Sequence, residues 1–317
     1  MSSTTTVHTI SITPNMIWER IPKRDSYSHK GTYGNVLAIC GCEEYRGAAA
    51  LCTLGALRSG VGLVTLAATE AVISSVAGRV LEATFLPLPD DTALVEKLQR
   101  AKVCAAGCGK KEIPDTVREM KMVLKHAQGT VILDAGGLCS LVTQIEPERV
   151  ETDGAAGDSD TYPLTAIPRT ESAARLLSTC AGRLVITPHP GEMAKLTGLS
   201  VAQIKETPAP VAQEYAAKTG VVVVLKGHRT LIASPDGQMY ENRTGNAGLA
   251  RGGSGDVLTG IIAGLAAQGL SPLDAAICGV WLHGSAADRC AMRKSMMGML
   301  PSDILEDLGQ IFLENGR

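Results

Sequence analysis

The fold turns on residues 35–68, which read NVLAICGCEEYRGAAALCTLGALRSGVGLVTLAA. The opening run, NVLAICG (35–41), is short, apolar and of strand type. RGAAALCTLGALRSG (46–60) then carries its apolar residues at helical spacing and stops at Gly60. GLVTLAA (62–68) is a second apolar run. Strand, helix and strand in that order form one unit of a layered α/β protein.

Working outward, the same rhythm recurs in KVCAAGCG (102–109), TVILDAGG (130–137), LVITPHPG (184–191) and VVVVLKGH (221–228). A helical segment is expected after each. The strands are apolar on both faces, as strands of a covered parallel sheet are. The expected architecture is therefore three-layered, a mostly parallel central sheet with helices on both faces. In such sheets ligands bind beyond the carboxyl ends of the strands. The residues just past those ends are GCEEYRG, GCGKKE, DAGGL, PHPGE and KGHRT. They are polar and glycine-rich, and they mark where the site should be.

Composition excludes several function classes. The chain has 317 residues, 45% apolar and 20% charged, with a formal net charge of -2. There is no basic surplus for nucleic acid, and 3% aromatics leave few stacking platforms for single strands. No apolar run of about 18 residues suggests a membrane span. The first residues lack an apolar signal core. Nine cysteines, an odd number scattered through apolar segments, read as buried thiols in a reducing cytoplasm. Cys40 with Cys42, and Cys104 with Cys108, have no partner pair at zinc-finger or ribbon spacing, so a zinc site is not expected.

One segment breaks the rhythm. Residues 144–172, QIEPERVETDGAAGDSDTYPLTAIPRTES, hold seven acids against two arginines, and three prolines. They read as a long exposed and mobile insertion. The first ~30 residues read as an N-terminal extension, leaving 31–317 as one domain.

The stretch NAGLARGGSGDVLTG (246–260) carries the chemistry. Its glycines put bare backbone at a helix start, where N–H groups lack intrahelical partners and the helix dipole adds positive charge. Gly253, Ser254 and Gly255 are thus candidates for an anion hole suited to phosphate. A carboxylate, Asp256, sits beside it. Either it caps the helix, or it accepts the proton of a hydroxyl that attacks the phosphate. No G-x-x-x-x-G-K-[ST] occurs, which excludes a P-loop.

This stretch resembles the signature of ribokinase-like kinases, and more closely that of the ADP- or ATP-dependent NAD(P)HX dehydratases. HKGTYGNVLAICG, GAAALCTLGALRSGVGLVTLA, AAGCGKKE, VILDAGGL, VITPHPGEMAKLTG, VVVVLKGHRTLIASPDG and WLHGSAAD follow in that family's order, over roughly residues 28–315. The resemblance implies a ribokinase-like fold and repair of hydrated NADH and NADPH. Phosphoryl transfer from ADP or ATP would turn the substrate hydroxyl into a good leaving group. It also implies Mg2+ and a homo-oligomer, with a tetramer allowed. The epimerase domain fused to some relatives is absent from this sequence, and the lack of a targeting peptide leans toward ADP.

By the same resemblance Asp256 is the base, and Lys226, Gly227, His228, Arg229 and Thr230 bind the adenosine nucleotide together with Gly255. Asn246 orients phosphate or magnesium. Ala48, Gly109 and His189 contact the dinucleotide, and Glu192 acts on magnesium through water. Read on their own, Lys226 is equally a surface lysine, His189 a structural histidine, Ala48 and Gly109 packing residues, and Glu192 an exposed helix-start acid. WLHGSAAD reads as helix packing, with His283 structural. Three positions depart from the family: Gly136 stands for the aspartate of LDADGL, AGCG for GPG, and Arg251 for threonine. Two other readings stay open, a small-molecule kinase acting on a vitamin-precursor alcohol and a nucleotide-binding regulator without catalysis.

Overall fold

The computed structural model describes residues 7–143 and 169–317. Ten strands form one sheet: β1 Ile10–Ser11, β2 Asn35–Ile39, β3 Leu63–Thr69, β4 Thr84–Leu88, β5 Val103–Ala106, β6 Thr130–Leu133, β7 Leu184–Ile186, β8 Val222–Leu225, β9 Thr230–Ala233 and β10 Met239–Asn242. The order across the sheet is β1-β10-β9-β8-β7-β6-β5-β2-β3-β4. Strands β2 to β8 pair in parallel, with Leu37 opposite Thr65 on one side and Cys104 on the other.

Side-chain alternation divides the core into two layers. Val36, Ala38, Val103, Ala105 and Ile132 face a layer that includes helices Arg46–Arg58, Ser254–Ala267 and Pro272–Gly298. Leu37, Ile39, Cys104, Ala106, Val131 and Leu133 face the opposite layer, which includes Pro114–His126, Ala135–Thr143 and Pro208–Thr219. The three-layer architecture read from the sequence is therefore present.

The expected helix after VVVVLKGH is absent. The chain turns back at Lys226–Arg229 into β9, antiparallel to β8, and β10 returns antiparallel to β9. The signal lies in SPDG (234–237), where the Ser234 N–H donates to the Gln238 carbonyl at 2.9 Å and Gly237 takes φ +91°. Those are the requirements of a tight hairpin turn.

The N-terminal residues are not set apart from the body. Strand β1 pairs parallel with β10. Helix Pro14–Arg20 buries Ile17 completely and stands Trp18 edge-on to Trp281 at 6.0 Å. A boundary near residue 30 thus separates nothing from the core that residues 10–21 help to build. Most of the acidic insertion, 144–168, lies outside the described residues, and with it the expectation of mobility. Its last residues, 169–172, open helix Arg169–Ser178. Among the described residues no helix is long and apolar enough to cross a membrane.

Helix Ser254–Ala267 lies unusually close to helix Arg46–Arg58. A Cβ on Gly260 would overlap the Cys52 carbonyl oxygen, and one on Gly55 would come within 2.6 Å of the Val257 carbonyl oxygen. Small residues at these contacts let the two backbones touch. That contact fixes where the helix starts, and therefore where Asp256 stands.

Candidate active site

The carboxyl ends of β5, β6, β7 and β8 open on one side of the sheet, together with the start of helix Ser254–Ala267. Gly253, at φ +101°, is the helix N-cap and makes no side-chain cap bond. Asp256 is therefore the third residue of the helix and not its cap. The Ser254 N–H donates to the Arg251 carbonyl at 3.3 Å, while the N–H groups of Gly253, Gly255 and Asp256 stand at the helix start without a backbone partner. The Ser254 hydroxyl is buried and unpartnered. Of the Gly253–Gly255 set expected from sequence, only the Ser254 N–H is already engaged.

A cavity of about 770 Å³ opens beside this helix start, within the size range of small-molecule and cofactor sites. Ala48, Gly109, His189, Glu192 and Asp256 all line it, as do Gly136 and Lys110. Gly109 takes φ +64°, and a Cβ there would lie 2.5 Å from the Ala48 methyl. The two small residues pack on each other and keep the cavity floor open.

His189 is held tightly. Its Nδ1 accepts from the N–H groups of Gly191 at 2.9 Å and Glu192 at 3.3 Å, while its own N–H donates to Glu192 Oε2 at 2.7 Å. This reciprocal capping box starts helix Pro190–Thr197. With Nδ1 accepting, the neutral ring carries its proton on Nε2, 3.5 Å from Glu192 Oε1. His189 is thus both a structural cap and a cavity wall.

Behind the helix start lies a charged pair that the sequence reading did not put together. Lys226 Nζ sits 2.7 Å from Asp134 Oδ1 and 3.7 Å from Glu192 Oε2. The Thr187 hydroxyl donates to Asp134 Oδ1 at 2.7 Å. Asp134 is only 2% exposed. Burial would raise its pKa, but Lys226 and Thr187 hold it below the ordinary carboxylate value. Burial likewise works against the Lys226 ammonium, and Asp134 and Glu192 hold its pKa above the usual lysine value. A Cβ on Gly255 would be 3.4 Å from Lys226 Nζ and 3.5 Å from Asp134 Oδ2. The helix start therefore rests directly on this pair, and Lys226 is no simple surface lysine.

Asp256 is pushed the other way. Burial first, then Cys108 and Asp134, raise its pKa to about 9, with Lys226 opposing. A carboxyl raised this far favours its protonated form at neutral pH, and it has to lose that proton before it can serve as a base. Cys108, the cysteine of AGCG, also reaches Asp134 Oδ2 at 3.7 Å, so this departure from the family puts a thiol between the two acids. His283 is buried against the Ser254 backbone, and burial lowers its pKa to about 4. That fits the structural role read for it.

The nucleotide-side residues fall outside the cavity, at the hairpin end where β9 begins and β10 stops. Gly227, His228 and Arg229 are exposed. Arg229 pairs with Glu241 at 3.2 Å, and the Thr230 hydroxyl donates to the Gly227 carbonyl at 3.4 Å. Asn246 does not present a free amide. Its Nδ2 donates to Asp288 Oδ1 at 2.9 Å, and its Oδ1 accepts from the Gly248 N–H at 2.9 Å. Asp288 also accepts from the Gly245 N–H at 2.8 Å. Asn246 therefore shapes the loop into the helix, and Asp288, the last residue of WLHGSAAD, anchors it. That motif does more than pack helices.

Gly136 has a local cause. A Cβ there would overlap the Lys110 carbonyl oxygen, so the aspartate of the family pattern has no room in this backbone. Lys110 in turn forms a buried pair with Glu119 at 2.7 Å. Arg251, the other departure, donates to the Met297 carbonyl at 2.9 Å on the surface.

The acids present fit a magnesium ion carried by phosphates better than one caged by protein. Mg2+ needs about six oxygens and usually keeps waters and phosphate oxygens among them. Asp134 Oδ1 is engaged by Lys226 and Thr187, and Glu192 Oε2 by the His189 N–H. An ion carried by the phosphates would meet Glu192 and Asp134 through water rather than directly.

A mostly parallel sheet with helices on both faces, a glycine-entered helix carrying one acid, and a cavity at the strand ends define a protein of the ribokinase-like class. Within that class the chain belongs to the NAD(P)H-hydrate dehydratase family, whose model matches residues 36–155 and 164–310. It is 40% identical over 299 residues to the bifunctional NAD(P)H-hydrate repair enzyme Nnr of Moorella thermoacetica, covering 91% of this chain and 51% of that protein. It is 33% identical to the ADP-dependent (S)-NAD(P)H-hydrate dehydratase of Bacillus subtilis, covering 92% and 94%. The chain thus spans about half of the bifunctional relative and nearly all of the single-function one. A crystal structure of the Bacillus subtilis ADP/ATP-dependent NAD(P)H-hydrate dehydratase, co-crystallised with ATP and Mg2+, superposes with a TM-score of 0.75 at 31% identity, covering 96% of this chain and 97% of that one.

Proposed function

We propose that this chain dehydrates (6S)-NADHX and (6S)-NADPHX to NADH and NADPH, using ADP or ATP as phosphoryl donor. The observation that carries this reading is the position of Asp256, at once on the wall of the dinucleotide-sized cavity and in the helix turn whose free N–H groups can hold a phosphate. The relatives named above supply the substrate and the donor.

The nucleotide lies along Lys226–Thr230, with its terminal phosphoryl group at the Gly255 and Asp256 N–H groups. The dinucleotide lies over Ala48 and Gly109, with His189 at the wall. Asp256 takes the proton of the substrate hydroxyl as that oxygen attacks phosphorus. Gly255, Asp256 and Lys226 stabilise the charge that develops on the phosphoryl oxygens. The bond to the donor's bridging oxygen breaks, leaving AMP from ADP or ADP from ATP. The ring nitrogen's lone pair then expels phosphate, and loss of a neighbouring ring proton restores the reduced nicotinamide. Magnesium, when bound with the nucleotide, screens the phosphate charges against Asp134 and Glu192. A hydroxide leaving group is thereby replaced by phosphate.

Exposed Met292, Met296, Met297 and Leu300 near the C-terminus support a further copy of the chain as partner. The nine free thiols suit a reducing cytoplasm. The test is incubation with NADHX, ADP or ATP, and Mg2+. Reduced-nicotinamide absorbance should recover with one phosphate released per turnover, stop in EDTA and return with added Mg2+. A stable phosphorylated product without recovery of absorbance would instead favour a small-molecule kinase.

A further inference from the structure

Three cysteines from three separate elements meet under the cavity floor. Cys40 follows β2, Cys52 lies in helix Arg46–Arg58, and Cys108 lies in the loop after β5. Their sulfur atoms are all within 4.8 Å of one another, and all three residues are buried. Sequence spacing could not show this, because the pairs it suggested are split by the fold. Cys104 points into the opposite layer of the core and Cys42 lies at the surface of the loop after β2. Cys108 also groups with Asp134 and Asp256, their ligating atoms again within 4.8 Å.

We propose that Cys40, Cys52 and Cys108 form a binding site for a thiophilic d10 cation such as Zn2+ or Cd2+, directly beneath the substrate cavity. Sulfur lies about 2.3 Å from zinc, which puts the sulfurs of a tetrahedral site roughly 3.8 Å apart. The three thiols need to close by no more than about 1 Å from their present spread to meet that geometry. Each thiol gives up its proton to solvent as its sulfur binds the ion. Three thiolates on a divalent cation leave one net negative charge, which the Lys110 and Lys226 ammonium groups feel, each already paired with an acid. Asp256, on the cavity wall, groups with Cys108 on the cavity side of the cluster. Soft sulfur donors favour zinc and cadmium over magnesium, so this site is distinct from the phosphate-borne magnesium. Binding ties the end of β2 to helix Arg46–Arg58, which carries Ala48, and to the loop after β5, which carries Gly109 and the Cys108 thiol grouped with Asp256. It does not depend on the proposed catalysis.

The test uses the whole, fully reduced protein and Cd2+ or Zn2+ alone. After gel filtration one Cd2+ should remain per chain, with an ultraviolet sulfur-to-cadmium charge-transfer band and a raised melting temperature. Cys52→Ser and Cys40→Ser should each lose the band, while Cys42→Ser and Cys278→Ser keep it. Should the Ser variants fold poorly, the unchanged protein still decides. Bound metal should slow alkylation of Cys40, Cys52 and Cys108 in mild denaturant and leave Cys104, Cys139, Cys180, Cys278 and Cys290 unprotected. No retained metal, a band that survives in both Ser variants, or protection falling on other cysteines would overturn the proposal. These readouts leave the dehydratase reading untouched, since none of them measures turnover.

Discussion

Replacing Asp256 with asparagine separates chemistry from stability. The side chain keeps its size but can no longer take a proton. Loss of a general base typically costs ~10²–10⁴-fold in rate. The effect on stability has the opposite sign. The folded chain holds the Asp256 proton to about pH 9, whereas an unfolded aspartate gives it up near pH ~3.9. Between those values the folded state binds one more proton than the unfolded state. Wild-type stability therefore falls with rising pH across that window, by up to about 1.4 kcal/mol per unit. Asparagine removes this dependence. Urea unfolding of both proteins at pH 6 and pH 8 should show Asp256→Asn gaining on wild type by up to about 3 kcal/mol over the interval. NADHX repair should fall by at least about a hundredfold. A variant that repairs at more than about a tenth of the wild-type rate would refute the base. A stability difference that does not change with pH would refute the buried, proton-holding carboxyl.

Three further outcomes follow from the same geometry. Because a base with a pKa of about 9 must lose its proton first, kcat/KM should rise close to tenfold per pH unit below that value and level above it; a flat profile from pH 6 to pH 8 in steady-state assays would count against it. Lys226→Ala strands the buried Asp134 carboxylate and should cost about 3 kcal/mol in urea unfolding while abolishing nucleotide binding by calorimetry; unchanged stability would mean the pair is not formed. Gly136→Asp, which restores the family's residue, should lower stability by about 1–3 kcal/mol because its side chain meets the Lys110 carbonyl, and a variant as stable as wild type would show that the backbone gives way.

Much of the fold is written in local pattern. The apolar runs that became β2, β5, β6, β7 and β8 are buried on both faces, and that gives them a plain signature; β3, beside the edge strand β4, is fully buried on one face only. Strands β1 and β4 carry no such signature. They are edge strands, two residues long in one case and interrupted by Pro87 in the other. The β9–β10 hairpin was legible only through SPDG, whose turn chemistry competes with the strand–helix rhythm before it. In the site, the residues carried by motif, Ala48, Gly109, His189, Glu192 and Asp256, do meet at one cavity. What the sequence could not show is pairing across distance. The Lys226–Asp134 pair spans 92 residues and the Asn246–Asp288 contact spans 42, and the cysteine cluster joins elements that only the sheet order brings together. The Asp256 pKa is of the same kind, because burial by neighbours remote in sequence sets it.

The central claim is that phosphate leaves carrying the substrate's own oxygen. NADHX labelled with heavy oxygen in its hydroxyl, turned over with unlabelled ADP or ATP in unlabelled water, tests it by mass spectrometry of the released phosphate. The account predicts one labelled oxygen in each phosphate and none in the water. Label found in water, with phosphate unlabelled, would mean that the hydroxyl leaves without ever being phosphorylated, and the mechanism built on Asp256 would be wrong.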